Sequence, residues 1–301
     1  MNTVPERVTE MRKLWAQSDA ARDAGLTEPE DVVKYRDISY GPFEKWNLLD
    51  LYIPKENSVN ANRKDTSKWP VIVSIHGGGF FYGDKELYRF YCMHLAQFGF
   101  AVVNFNYRLA PEFKFPSPLE DTMAVMEWIG KNAGRYGLDP SNVFMVGDSA
   151  GAQLVSQFSV IMTNKGYASL FGMKAPEGIS LRAVSLACGT YSLASGKRDD
   201  NIKMDYLGDE KMLDDPRIEV CENITADYPP VYIFTAYNDF LLTECEPMAE
   251  LIRSRGVEVK SRVFGTPEAK EVAHVFHVNM RLEEGEKANV EQTDFFRDHI
   301  S

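Results

Sequence analysis

The stretch Val143-Phe-Met-Val-Gly-Asp-Ser-Ala-Gly151 constrains the fold of this 301-residue chain more than any other. Four apolar residues, as a buried strand would carry, run straight into Gly147-x-Ser149-x-Gly151. Glycines flanking the serine in this way remove the Cβ atoms that would clash in a strained strand-to-helix turn, and such a turn leaves the serine hydroxyl exposed at its apex. Ala150 to Met162 follows with apolar residues at Leu154, Phe158, Val160 and Ile161, a spacing that predicts a helix packed on a sheet. Ser149 is therefore a candidate nucleophile. The pentapeptide alone recurs by chance; the strand before it and the helix after it give it weight.

A second motif, His76-Gly-Gly-Gly-Phe80, directly follows the short apolar strand Pro70 to Ile75. Consecutive glycines leave backbone N–H groups unobstructed. Fixed donors of this kind stabilise the oxyanion that develops when a nucleophile attacks an acyl carbon. A serine nucleophile also needs a base, and the base needs a carboxylate to hold its tautomer. Of five histidines, His76 belongs to the glycine motif, His94 lies in the expected helix Lys85 to Phe98, and His299 is near the C-terminus. His274 and His277 remain, both in a loop after the apolar run Val257 to Phe264. The carboxylate candidate is Asp239, just past the predicted strand Val231 to Ala236. The chain order Ser149, Asp239, histidine is that of hydrolases built on a nucleophile elbow.

His76-Gly-Gly-Gly-Phe80 followed about 70 residues later by Gly147-Asp-Ser-Ala-Gly151 resembles the hormone-sensitive-lipase-like family of α/β-hydrolases, which contains many bacterial carboxylesterases. Tyr107-Arg-Leu-Ala-Pro-Glu112, Phe115-Pro-Ser-Pro-Leu-Glu-Asp121, and Asp239 with Glu244 are similar to further segments of that family, so the likeness spans Val71 to His277. The resemblance implies a Ser149, Asp239, His274 triad, with His274 chosen over His277 because Phe276 lies two residues on. It also implies oxyanion donors at the N–H groups of Gly78, Gly79 and Ala150. Two positions depart from the pattern: Phe240 stands where proline is usual, and Val275 where glycine is usual. Phe80, Phe81 and Tyr82 are candidates for an acyl pocket, or they pack the loop.

Strands are expected at 33–39, 48–53, 71–75, 101–107, 143–146, 183–188, 231–235 and 257–263, and helices at 85–98, 118–132, 150–162, 246–255 and 290–299. This alternation predicts an α/β-hydrolase fold: a mostly parallel eight-stranded sheet with helices on both faces. We expect one domain over residues 1–301, with cap elements from 1–30 and 190–228. Val8, Met11, Leu14 and Trp15 stand at helical spacing in the first of these, a stripe equally suited to packing on the core surface. Lys55 to Ser67 reads as an exposed loop.

The length and a 44% hydrophobic content allow a sizeable core. A formal charge of −11 disfavours nucleic acid or an anionic membrane surface as partner. The expected partner is a small-molecule ester, with self-association left open. Four widely spaced cysteines without a CxxC pair read as free thiols rather than a zinc site. Neither a metal nor a cofactor is expected. The first 30 residues resemble no signal peptide, so a cytoplasmic location is expected, and Asn223-Ile-Thr225 reads as a chance sequon. Arg108, Glu112, Glu120 and Asp121 suit a structural ion-pair network better than substrate binding. The expected activity is hydrolysis of short acyl esters, acetyl to butyryl. Two rivals share the scaffold: an arylformamidase-like amidohydrolase and a non-catalytic ligand receptor.

Overall fold

Strands buried on both faces need apolar cover on both, and the central strands of this chain divide their side chains accordingly. A computed structural model describes residues 4–55, 68–193 and 201–301. The strands are β1 (Val32–Ser39), β2 (Leu48–Pro54), β3 (Trp69–Ile75), β4 (Ala101–Phe105), β5 (Leu138–Asp148), β6 (Leu181–Ala187), β7 (Val231–Ala236) and β8 (Val259–Phe264). They form one sheet in the order β1-β2-β4-β3-β5-β6-β7-β8. The β1–β2 and β2–β4 pairs are antiparallel and the rest parallel. Along β3, Val71, Val73 and Ile75 join one apolar cluster while Ile72 joins the other. Along β7, Val231 and Ile233 face one way and Tyr232 and Phe234 the other. This is the two-residue period of a pleated strand serving two cores.

The helices are α1 (Glu6–Asp23), α2 (Arg89–Gln97), α3 (Ser117–Tyr136), α4 (Ala150–Thr163), α5 (Lys165–Leu170), α6 (Asn201–Leu207), α7 (Leu242–Ser254) and α8 (Glu283–Asp298). Buried residues of α3, α4 and α7 enter the first cluster, and those of α2 and α8 the second. All eight expected strands and all five expected core helices are present, with shifted ends. Helix α8 begins seven residues before the expected start, with Glu283, Glu284 and Glu286 in its first turn, where carboxylates suit the positive end of the helix dipole. Helix α2 begins later than expected, at Arg89, and Lys85 before it is held in a buried ion pair with Asp50 at 2.9 Å. Sequence periodicity missed α5, α6 and the single turns Glu210–Asp214, Pro216–Ile218 and Cys221–Asn223, which are too short to show a period.

The loop expected over Lys55 to Ser67 lies outside the described residues from 56 onward, as do residues 194–200 of the 190–228 segment. Arg108 pairs with Asp121 at 2.9 Å and Glu120 at 2.7 Å, and Glu112 with Arg12 at 2.8 Å, so these charges join elements of the scaffold. No helix among the described residues is long and apolar enough to cross a membrane.

Candidate active site

Strand β5 ends at Asp148 and α4 begins at Ala150, leaving Ser149 alone at the turn with φ 52° and ψ −119°. Only glycine visits that region without strain, so a serine there must be held by its surroundings. A Cβ on Gly147 would lie 2.5 Å from the carbonyl oxygen of Gly151, and one on Gly151 would lie 2.1 Å from that of Ile75. The two glycines are thus required by the close approach of helix to strand. The Ser149 N–H donates to Ala187 on β6 at 3.0 Å. Ser149 is partly exposed, while Asp148 and Ala150 on either side are buried.

The glycine loop after β3 has the same steric logic. Gly78 and Gly79 take φ 113° and 59°, and a Cβ on Gly78 would meet the Tyr82 carbonyl oxygen at 2.2 Å. The Gly77 N–H donates to the Tyr88 hydroxyl at 3.0 Å, which in turn donates to Asp148 Oδ2 at 2.7 Å. This chain of bonds ties the glycine loop to the elbow. The N–H groups of Gly78, Gly79 and Ala150 donate to no protein group among the described residues, and all three residues line the cleft that holds Ser149. Free N–H donors in the cleft that holds a hydroxyl are groups an oxyanion could use.

Asp239 follows β7, and its side chain is wholly buried. Its Oδ1 accepts from His274 Nδ1 at 2.8 Å and from the Leu241 N–H at 2.9 Å, and its Oδ2 accepts from the Thr235 hydroxyl at 2.8 Å. Burial works to raise its pKa, but the bonds from His274 and Leu241 outweigh it and hold the carboxyl below its ordinary range. The loops carrying Asp239 and His274 meet in a single bridge between Asn238 and Ala273. Val275 takes the left-handed φ of 60° in the turn after His274, a conformation open to the glycine usual there and strained for a β-branched residue. Cys188 brings a third donor atom within 4.8 Å of Asp239 and His274, a set able to ligate a metal, although the Asp239–His274 hydrogen bond already occupies two of its atoms.

The structure separates the two candidate histidines. His274 lines the cleft and its side chain is 23% exposed. His277 is buried, edge-on to Tyr91 and Phe234, and burial pushes its pKa down to about 3, so it is neutral. His76 is also buried and neutral, stacked on Tyr107 at 4.2 Å, with its Nδ1–H donating to the Gly77 carbonyl. Asp148 is the opposite case: burial, only partly offset by the Tyr88 hydroxyl, lifts its carboxyl to about 6.

The cleft measures about 830 Å³. Its walls come from α1 (Trp15, Ser18, Asp19, Arg22), the glycine loop, the elbow, the segment around α6 (Leu193, Ile202, Lys203) and the loops after β7 and β8. Phe80 and Tyr82 line it, with Phe80 stacked on Tyr206 at 4.1 Å and the Tyr82 hydroxyl donating to Asp19 at 2.6 Å. Phe81 does not line it. Its ring packs on Trp15 at 4.9 Å and borders a separate cavity of about 300 Å³. Sequence reading missed Asp148, which lies inside the elbow motif itself, and Tyr88, which no pattern marks. It also left open whether α1 reaches the site; four of its side chains do.

A family model described as the alpha/beta hydrolase fold matches residues 72–278. The chain is 28% identical over 201 residues to carboxylesterase NlhH of Mycobacterium tuberculosis, covering 64% of this chain and 63% of that protein. It is 32% identical over 148 residues to lipase 2 of Moraxella sp., covering 48% and 33%. The chain thus spans less than two thirds of the length of these curated relatives. Among solved structures, esterase B from Lactobacillus rhamnosis, inhibited by a C4-C4 tributyrin phosphonate, superposes with a TM-score of 0.84 at 27% identity, covering 98% of this chain and 96% of that one. The match over most of the sheet, with the elbow and glycine motifs inside it, means that the chain belongs to the α/β-hydrolase fold family, in its hormone-sensitive-lipase-like group.

Proposed function

We propose that the protein is a serine carboxylesterase that hydrolyses short-chain acyl esters through Ser149, His274 and Asp239. The observation that carries this reading is the His274–Asp239 hydrogen bond in the same cleft as a strained, partly exposed Ser149 and three free N–H donors. With Nδ1–H committed to Asp239, the neutral imidazole presents Nε2 as an acceptor. Ser149 Oγ attacks the ester carbonyl carbon while His274 Nε2 takes its proton; Asp239 stabilises the imidazolium, and the N–H groups of Gly78, Gly79 and Ala150 hold the oxyanion. Collapse breaks the bond to the alcohol oxygen, and His274 returns the proton to it. Water then attacks the acyl-enzyme by the same route, releasing the acid. The groups named suffice for each proton transfer.

Short acyl groups are the choice in this reading because the esterase B relative was solved with a C4 phosphonate; Phe80, Trp15 and Leu193 line the cleft here. Residues 1–30 and 190–228 supply a cap over one domain in this reading, since α1 and α6 both reach the cleft. The four free thiols suit a reducing, cytoplasmic setting. A fluorophosphonate probe tests the proposal: stoichiometric labelling of Ser149, with hydrolysis of acetyl and butyryl esters, is the expected result. Absence of labelling would revive the receptor reading, and faster turnover of an N-formyl aromatic amide than of esters would favour the amidohydrolase.

A further inference from the structure

Phe240 is the most exposed large apolar side chain among the described residues, with 75% of its surface accessible. It directly follows the buried Asp239 and lines the cleft, and its ring centroid lies 4.3 Å from that of the His274 imidazole, tilted by 45°. An aromatic ring left in water forgoes the free energy of its burial, which a ligand covering its open face would recover.

The chemistry says which part of a substrate would meet that ring. As general acid, His274 must hydrogen-bond the oxygen of the departing alcohol. The carbon substituents of that oxygen then lie beside the imidazole, and so beside Phe240. Aromatic rings gain from offset or edge contacts with one another beyond what their buried area supplies. Glu244 and Glu271 also line the cleft, and Arg22, which lines it too, is engaged by Asp19 and Asp23, which disfavours an anionic ring there.

We propose that Phe240 is the platform for the alcohol moiety and selects esters of neutral aromatic alcohols. The inference rests on the esterase reading above and adds the leaving-group class to it. Phe240 acts by binding; the proton transfers remain with His274.

The test compares kcat/KM for benzyl acetate and cyclohexylmethyl acetate, which share an acyl group, a linking methylene and nearly equal alcohol acidity, and differ in ring aromaticity. The protein as it stands is expected to prefer the benzyl ester by about ten-fold, equivalent to about 1.4 kcal/mol. Phe240→Ala should bring the ratio close to one, and Phe240→Tyr should keep it. Because the side chain is exposed, the alanine variant is expected to fold, which circular dichroism checks. A ratio near one in the unmodified protein, or a ratio that survives Phe240→Ala, would overturn the inference. Fluorophosphonate labelling of Ser149 in the same samples separates the two readings. Labelling with an unchanged ratio removes only the role of Phe240, whereas no labelling removes the esterase reading and this inference with it.

Discussion

His274 Nδ1 lies 2.8 Å from Asp239 Oδ1 across 35 residues of sequence, and the other ring nitrogen has no hydrogen-bond partner among the described residues. The carboxylate side of the pair is wholly buried and the imidazole partly exposed. In the proposed mechanism, solvent therefore reaches the group that exchanges protons, while the group that stays ionised is fixed by hydrogen bonds from the protein.

Ser149→Ala is expected to lower ester turnover on the order of a million-fold while leaving the fold intact. Ser149→Gly should abolish activity as completely and raise stability by about 1 kcal/mol, because glycine adopts the observed φ of 52° without strain. Urea unfolding together with an ester assay checks both. A glycine variant less stable than the alanine variant would mean that the turn stores no strain at this residue.

His274→Ala should lose turnover about as severely as the serine change. His277→Ala should keep kcat/KM within about ten-fold, or 1.4 kcal/mol, but should unfold more easily by about 2–4 kcal/mol, since it opens a cavity between Tyr91 and Phe234. The reverse ranking in activity would show that His277 is the base.

Asp148 gives a pH dependence of known sign. Its folded pKa of about 6 lies above the ordinary carboxylate value. Between the two, the folded protein holds a proton that the unfolded chain has released, so the contribution of this group to stability falls as pH rises through the window. Relative to the unmodified protein, Asp148→Asn should therefore gain stability between about pH 4 and pH 8, by up to about 3 kcal/mol. Denaturant unfolding of both proteins at the two pH values measures this; a difference independent of pH would show that Asp148 does not titrate as its burial implies.

Acetyl to butyryl esters should be hydrolysed with higher kcat/KM than esters with chains of about ten or more carbons. Each methylene left unburied forgoes roughly 0.8 kcal/mol, and one forced against packed side chains causes strain. A p-nitrophenyl ester series kept below its solubility limits checks the expectation, and a maximum at long chains would point to a lipase.

The elbow was legible in the sequence because its demands are local: a strand, a helix and a serine that only Gly147 and Gly151 allow to sit between them. The strands were legible for the same reason, since a residue's place on one face or the other of β3 or β7 follows from its neighbours in the chain. The choice between His274 and His277 was different. The two lie three residues apart in one loop, and the left-handed turn at Val275 and the packing of Tyr91 and Phe234 turn one into the cleft and the other into the core. The same holds for α1, whose polar sequence buries only Val8 and which is held over the cleft by Arg12 bonding to Phe81 and Ala110 and by Asp19 bonding to Tyr82. Sequence by itself determined which groups could react, through steric rules acting within a few residues. Tertiary structure decided which of them meet, because burial and hydrogen bonding between distant segments depend on how the sheet and its helices close around them.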